Sequence, residues 1–223
     1  MWHWVQRVSR ERLDQRSLPT RHREQIAGIE AEGFDAHLVN LTLDIRPVIL
    51  SVLLGRGWII TSAASASDPE RAMAKSLAEG IAAAGIVSNA EPRTEPISAE
   101  EVRMPEHHIR LHRDASLIDR DRFLFSSPDT IRLDEIASPP ESVADAVSTA
   151  GEPLTVELGS PATAPFHVVR ALVPGIVPIS FGFDQEPLGM PRLAEPKTTR
   201  DGRRLGRRLE LEETGPLLPH PFA

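Results

Sequence analysis

The stretch Val48–Gly85, "VILSVLLGRGWIITSAASASDPERAMAKSLAEGIAAAG", decides the fold. "RPVILSVLLG" is a short continuous apolar run, the pattern of a strand covered on both faces. "GWIITSAA" reads as a further strand beside it. Asp68 or Ser67 then caps a helix, Pro69 takes its first position, where a missing N–H costs nothing, and Gly85 closes it. Upstream, "FDAHLVNLTL" alternates as a strand does. Three strands followed by a helix make one α/β unit, so the spacing predicts a mixed sheet with flanking helices.

Outward from this unit, Trp2, Val5, Val8 and Leu13 form a loose apolar stripe that predicts a helix from Met1 to Arg16. It has no cap, and it leaves Trp2 and Trp4 as large apolar groups at a chain end. "SLPTRHREQIAGIEAEGF" predicts a second helix, with Thr20 as cap and Gly33 as its stop. A polar loop is expected near 88–105. A short helix follows in "HHIRLHRDASLIDRDRFLF", then a helix from Pro140 to Ala150 capped by Ser138. "EPLTVELG" and "FHVVRALVPGIVPISFG" predict two strands, with a type II turn at Pro174-Gly175. Residues 185–223 read as irregular. They end in "PLLPHPFA", an extended stretch whose prolines have fixed φ and no N–H.

Composition narrows the chemistry. The 223 residues carry a formal charge of −7 and no cysteine or tyrosine. Disulfides, thiolate catalysis and cysteine-based zinc sites are excluded, as is a tyrosine acid. The acidic balance argues against nucleic acid as a partner. The run Val48–Leu54 falls far short of the ~20 apolar residues needed to span a bilayer. No signal-peptide pattern opens the chain, and a cytoplasmic location is expected.

Two constellations could carry chemistry. Arg71, Lys75 and Glu79 share one helix face at i, i+4 spacing. They read either as a surface salt-bridge stripe or as a phosphate-and-metal edge, with Lys75 meeting phosphate oxygens and Glu79 holding Mg²⁺. His108 and His112 stand at i, i+4 and could face a metal together. Ile109 occupies the position of the glutamate in an H-E-x-x-H protease, and an exposed polar turn is the expectation. No G-x-S-x-G, P-loop or dinucleotide fingerprint is present.

Five blocks, in order along the chain, resemble the YcaO domain, in particular its azoline-forming branch. They are "WHWVQRVSRERLDQRSLP", "LTLDIRPVILSVLL", "DPERAMAKSLAEGIAAA", "HVVRALVPGIVPISFG" with "EPLGMPRL", and the proline-rich end "PLLPHPFA". The resemblance implies an α/β fold that binds ATP and Mg²⁺ and activates a backbone amide of a precursor peptide. A Cys, Ser or Thr side chain then attacks that amide. It implies a Mg²⁺ or nucleotide role for Glu79, a phosphate contact for Lys75 where the family has arginine, and an active-site tail carrying Pro219 and Pro221. Ala82 stands in place of a glutamine and Ala223 in place of a third terminal proline.

The family's glutamate-rich S-x-x-E-x-x-E-R motif has no counterpart here, so the whole chain, 1–223, reads as the C-terminal portion of such a domain. It is expected to be a late-started gene product, one part of a split enzyme whose N-terminal half is another chain, or a non-catalytic peptide- or partner-binding module. A leader-peptide-binding protein is a further expected partner.

Overall fold

The computed structural model describes residues 1–44, 46–89, 97–112, 115–137, 142–148, 151–163, 165–195, 197–198, 204–205 and 218–222. Its centre is a five-stranded mixed sheet. Strands β1 (Arg12–Leu13), β2 (Asp35–Asn40), β3 (Val48–Gly55), β4 (Trp58–Ser65) and β5 (Thr130–Ile131) lie in the order β4-β3-β2-β1-β5. β2, β3 and β4 form an antiparallel meander, and β5 joins β1 in parallel. Helices α1 (Trp2–Gln6), α2 (Thr20–Ala31) and α3 (Pro69–Asn89) precede α4 (Pro105–Leu111), α5 (Ala115–Asp121) and α6 (Val143–Ser148). Two small hairpins follow, β6 (Leu154–Glu157) with β7 (Val169–Leu172) and β8 (Lys197–Thr198) with β9 (Arg204–Leu205). Helix α7 (Pro191–Ala194) lies between them.

β3 is apolar on both faces and both are covered, as its unbroken hydrophobic run predicts. Ile49 and Leu53 pack with Met73 and Leu77 of α3 and Ile26 and Ile29 of α2. Leu50 and Val52 pack on the opposite face with Trp4, Leu124, Phe125 and Phe222. On the α3 side the contact is sealed by hydroxyls. Ser51 Oγ donates to Ser76 O at 2.9 Å, and Ser76 Oγ donates to Ser62 O at 2.8 Å. Gly80 lets the helix approach, because a Cβ there would stand 3.0 Å from Ser51 Oγ. Asp68 is the cap, accepting from Arg71 N at 2.8 Å. Helix α3 runs past Gly85 to Asn89, so the expected stop at Gly85 is not used.

The β3–β4 hairpin turns on Arg56 and Gly57, both with positive φ (53° and 77°), the geometry of a type I′ turn. Arg56 tolerates this conformation because its guanidinium lies 5.6 Å over the Phe34 ring and donates to Glu32 O at 3.0 and 2.7 Å. Gly33 ends α2 as expected, with φ +88°. The second half of the chain differs from the sequence reading in detail. Within the expected Pro140–Ala150 helix, α6 covers Val143–Ser148 and Ser142 is not helical; Ser138, Pro140 and Ala150 lie outside the described residues. The Val173–Ile176 turn closes at 3.0 Å without a positive φ at Gly175, so it is not type II.

The N-terminal helix predicted to reach Arg16 stops at Gln6, where Arg7 adopts φ 48°. Pairing with the sheet overrides its weak stripe: Asn40 N donates to Glu11 O at 2.9 Å, and Asp14 N to Ile131 O at 2.9 Å. Trp2 and Trp4 are not exposed; they are 5% and 1% accessible. Trp2 Nε1 donates to Glu195 O at 2.9 Å, and Trp4 Nε1 to Leu218 O at 3.1 Å. Distant parts of the chain thus bury what looked like a frayed end. Among the described residues no helix is long and apolar enough to cross a membrane.

Two glycines separate backbone crowding from side-chain crowding. A Cβ at Gly55 would meet Gly33 O at 2.2 Å, a backbone atom that cannot step aside. Gly55→Ala is therefore expected to cost about 3 kcal/mol in urea unfolding. Gly80→Ala displaces only hydroxyls and gains helix propensity, so its effect stays below about 1 kcal/mol. Equal losses for the two variants would refute this distinction.

Candidate functional site

The C-terminal segment Leu218–Phe222 is where distant parts of the chain converge. Pro219 and Pro221 have no N–H, so their carbonyls are the only backbone groups that need partners. Four successive carbonyls each receive a side-chain donor. Trp4 Nε1 donates to Leu218 O at 3.1 Å and His112 Nε2 to Pro219 O at 2.9 Å. His108 Nδ1 donates to His220 O at 2.6 Å, and Thr61 Oγ1 to Pro221 O at 2.5 Å. Pro219, His220, Pro221 and Phe222 are all buried.

His108 on α4 and His112, the residue that caps its C-terminus, face the same side, as their spacing requires, and are 0% and 1% accessible. The exposed polar turn expected for them is not found. Helix α4 begins at Pro105 and turns this face onto the tail. The His112 ring is held from behind by the Asp121 carboxylate on its Nδ1. His108 Nε2 accepts from Gly182 N at 3.2 Å, which fixes the Nδ1–H tautomer. His220 Nε2 donates to Ser180 O at 2.6 Å, while its Nδ1 accepts from Phe222 N at 3.2 Å. The His108 and His220 rings lie 4.5 Å apart. Every ring nitrogen of His108 and His112 is committed. Among the described residues no three His, Asp or Glu side chains gather for a metal, and the zinc reading has no support.

The tail ends at a cavity of about 310 Å³ lined by Thr61, Ser62, Phe222, Trp2, Leu41 and Glu79, among others. Thr61 and Ser62 come from β4, an edge strand of the sheet, while Leu41 follows β2 and Val48 opens β3. Helix α3 sends Glu79 to it from one side and the tail sends Phe222 from the other. His3 also lines it. Its Nε2 donates to Leu41 O at 3.1 Å, and burial lowers its pKa to about 3, so the ring is neutral.

Lys75 is exposed one turn before Glu79 and is not part of the cavity wall. Among the described residues neither side chain forms an ion pair, so the salt-bridge stripe weighed from their spacing does not form. Mg²⁺ takes one or two carboxylates together with phosphate oxygens and water. Glu79 fits that single-carboxylate contact, and the described residues do not make a self-contained protein cage. The pattern of the sequence did not point to Trp4, Thr61 or Asp121 as parts of this assembly. For His220, its position between two prolines was the one available signal.

The tail histidines make a pH prediction. Burial pushes His220 down to about 4 and lowers His108 as well. Each neutral ring uses one nitrogen as an acceptor, and protonation destroys that acceptor. Because the folded values lie below the ordinary 6.5, the unfolded chain binds more protons in acid. Their stabilisation is complete above about pH 6.5 and is lost as pH falls towards about 4. Thermal melts should show Tm dropping across that window, with a shallower drop in His220→Gln. Equal slopes for the two proteins would contradict this account.

The chain matches the family described as YcaO cyclodehydratase, ATP- and Mg²⁺-binding, over residues 1–177. No curated protein matches it. Among solved structures it is similar to YcaO from Methanopyrus kandleri bound with AMPPCP and Mg²⁺, with TM-score 0.57 and 16% identity, covering 77% of this chain and 47% of that one. A heterocyclase in complex with substrate and cofactor aligns with TM-score 0.59 and 17% identity, covering 85% of this chain and 26% of that one. The E. coli microcin synthetase McbBCD complex with pro-MccB17 bound aligns with TM-score 0.53 and 12% identity, covering 99% and 56%. The chain therefore spans about half or less of the first solved relatives' length. At these identities the structures speak for a shared α/β fold. The family match, which covers well over half of the sequence, carries the assignment: this chain belongs to the YcaO family.

Proposed function

We propose that the chain takes part in ATP- and Mg²⁺-dependent cyclodehydration of Cys, Ser or Thr residues in a precursor peptide. The observation that carries this reading is the meeting of Glu79 and the tail at one cavity. The solved relatives include a heterocyclase with substrate and cofactor and a synthetase complex with pro-MccB17, which supports a peptide as the substrate. Mg-ATP, when bound, supplies the phosphoryl group that activates an amide oxygen of the peptide.

In this reading Glu79 is the metal and nucleotide contact. Lys75, exposed one turn away, reaches phosphate oxygens as a point charge, without the bidentate fork of an arginine. Pro219 and Pro221 hold the tail in one extended conformation, so Phe222 forms a fixed wall beside the reacting amide. Trp2, Leu41 and Leu43 supply apolar walls that exclude water, which strengthens each charge contact inside. Glu79 alone is a sparse ligand set. We place the remaining carboxylates on a partner polypeptide, the counterpart of the rest of a YcaO domain, acting in the cytoplasm together with a leader-peptide-binding protein.

A second reading follows from the same sparseness and from Ala82, where the resemblance expects glutamine. In it the chain is a non-catalytic module that binds a peptide or partner. Mass spectrometry separates the two. With its partner polypeptide, Mg-ATP and a Cys-containing precursor peptide, the chain should cause loss of one water per modified residue. Glu79→Gln should slow this about 100-fold, the size expected when a preorganised charge contact is removed. Peptide binding with no ATP-dependent mass loss would establish the module instead, and full activity of Glu79→Gln would remove Glu79 from the mechanism.

A further inference from the structure

A second cavity, of about 400 Å³, adjoins the first. Met1, Trp2, Leu41, Leu43 and Val48 line both, so they form one cleft with two chambers. The first chamber holds Glu79 and Phe222. The second holds Arg46, Arg192, Lys197 and Asp44 against an apolar wall that includes Trp2, Ile176 and Val177. Three cations facing one cavity are unusual in a protein of net charge −7.

The charges are unevenly matched. Asp44 accepts from Arg192 Nη2 at 2.5 Å and from Lys197 Nζ at 3.4 Å, and Lys197 also reaches Glu195 at 3.2 Å. Two cations are thus answered by two carboxylates. Arg46 makes no hydrogen bond or ion pair among the described residues, and its Nε is buried without a partner. A buried guanidinium N–H left unpaired is costly, and its natural complement is a planar anion that takes both prongs of the fork. Burial lowers the Met1 amine to about 6, so it adds no full charge at neutral pH.

We propose that this chamber binds the side-chain carboxylate of an acidic residue in a peptide, with an apolar neighbour of that residue seated against Trp2 and Ile176. Among the described residues the balance is one unanswered positive charge, which fits a monoanionic carboxylate. It does not fit a dianionic phosphate, which the Asp44 carboxylate would repel. The volume lies within the usual range for small ligand sites, and its wall is apolar apart from these few polar groups, as such sites are. Because the two chambers share a wall, a peptide anchored here extends towards Glu79. The chamber is therefore a specificity subsite. It rests on the peptide-processing reading for its purpose, although not for its chemistry.

The test is a binding titration at pH 7.5 without ATP, using acetyl-Leu-Glu-Leu-amide and its isostere acetyl-Leu-Gln-Leu-amide. The Trp2 indole N–H resonance, held by Glu195 O, is the reporter. The glutamate peptide should bind at least about tenfold more tightly, the usual minimum for a charge-assisted pair. Arg46→Gln should abolish the difference without lowering Tm. Asp44→Asn, which removes the competing carboxylate, should tighten binding of the glutamate peptide.

Equal affinity for the two peptides overturns the proposal, as does a preference that survives in Arg46→Gln or weaker binding in Asp44→Asn. Inorganic phosphate displacing the peptide at lower concentration than acetate also overturns it, in favour of a phosphate site. Since no ATP is present, this outcome is independent of cyclodehydration. A carboxylate preference without water loss would sink only the catalytic reading, and water loss without the preference only the subsite.

Discussion

The structure depends on one constraint: β3 is apolar on both faces. A strand of this kind forces two covering layers, because Ile49 and Leu53 point one way while Leu50 and Val52 point the other. The first layer is supplied by α2 and α3, close in sequence and amphipathic in the ordinary way. The second is assembled from the two ends of the chain, Trp4 from the start and Phe222 from the finish, with Leu124 and Phe125 between. Burying an aromatic or aliphatic side chain is worth roughly 1.5–3 kcal/mol. Releasing either end would therefore expose several such groups at once. The ends of this chain belong to its core.

That arrangement explains what could be read from the sequence and what could not. Strands β2 to β4, the end of α2 and the start of α3 were legible because their signals are local: alternation, a continuous apolar run, Gly33 after α2 and Asp-Pro before α3. The N-terminal segment was misread because its partners lie far along the chain, at Glu195 and Leu218. A weak apolar stripe predicts a helix in isolation, and here β-pairing to residues near 130 stops it after one and a half turns. His108 and His112 were misjudged for the same reason. Their i, i+4 spacing placed them correctly on one face. Nothing local says that the face meets the carbonyls of Pro219 and His220 more than a hundred residues later.

The candidate site divides along the same line. Glu79 was legible as a carboxylate on a strong helix, and the resemblance gave it a role. The company it keeps at the cavity, Thr61, Ser62 and Phe222, comes from strand edge and tail and has no local signature. Lys75 shows the opposite case. It shares the helix face that sequence spacing gives it, yet it stands exposed outside the cavity wall, one turn before Glu79. Periodicity fixes which residues share a face, and tertiary packing decides how far along that face the cavity reaches.

The tail's chemistry follows from the prolines in it. A segment with N–H groups could satisfy them with water or with neighbours of its own. Pro219 and Pro221 remove that option and leave carbonyls, which in a buried position need donors. The donors are an indole, two imidazoles and a hydroxyl, set on α1, α4 and β4. They come from three separate regions, so the tail can leave only by breaking all four bonds and uncovering Leu50 and Val52 together. Such a segment is poorly suited to be a gate that opens with each turnover. At the cavity it stands as a wall, positioned by the same contacts that complete the core.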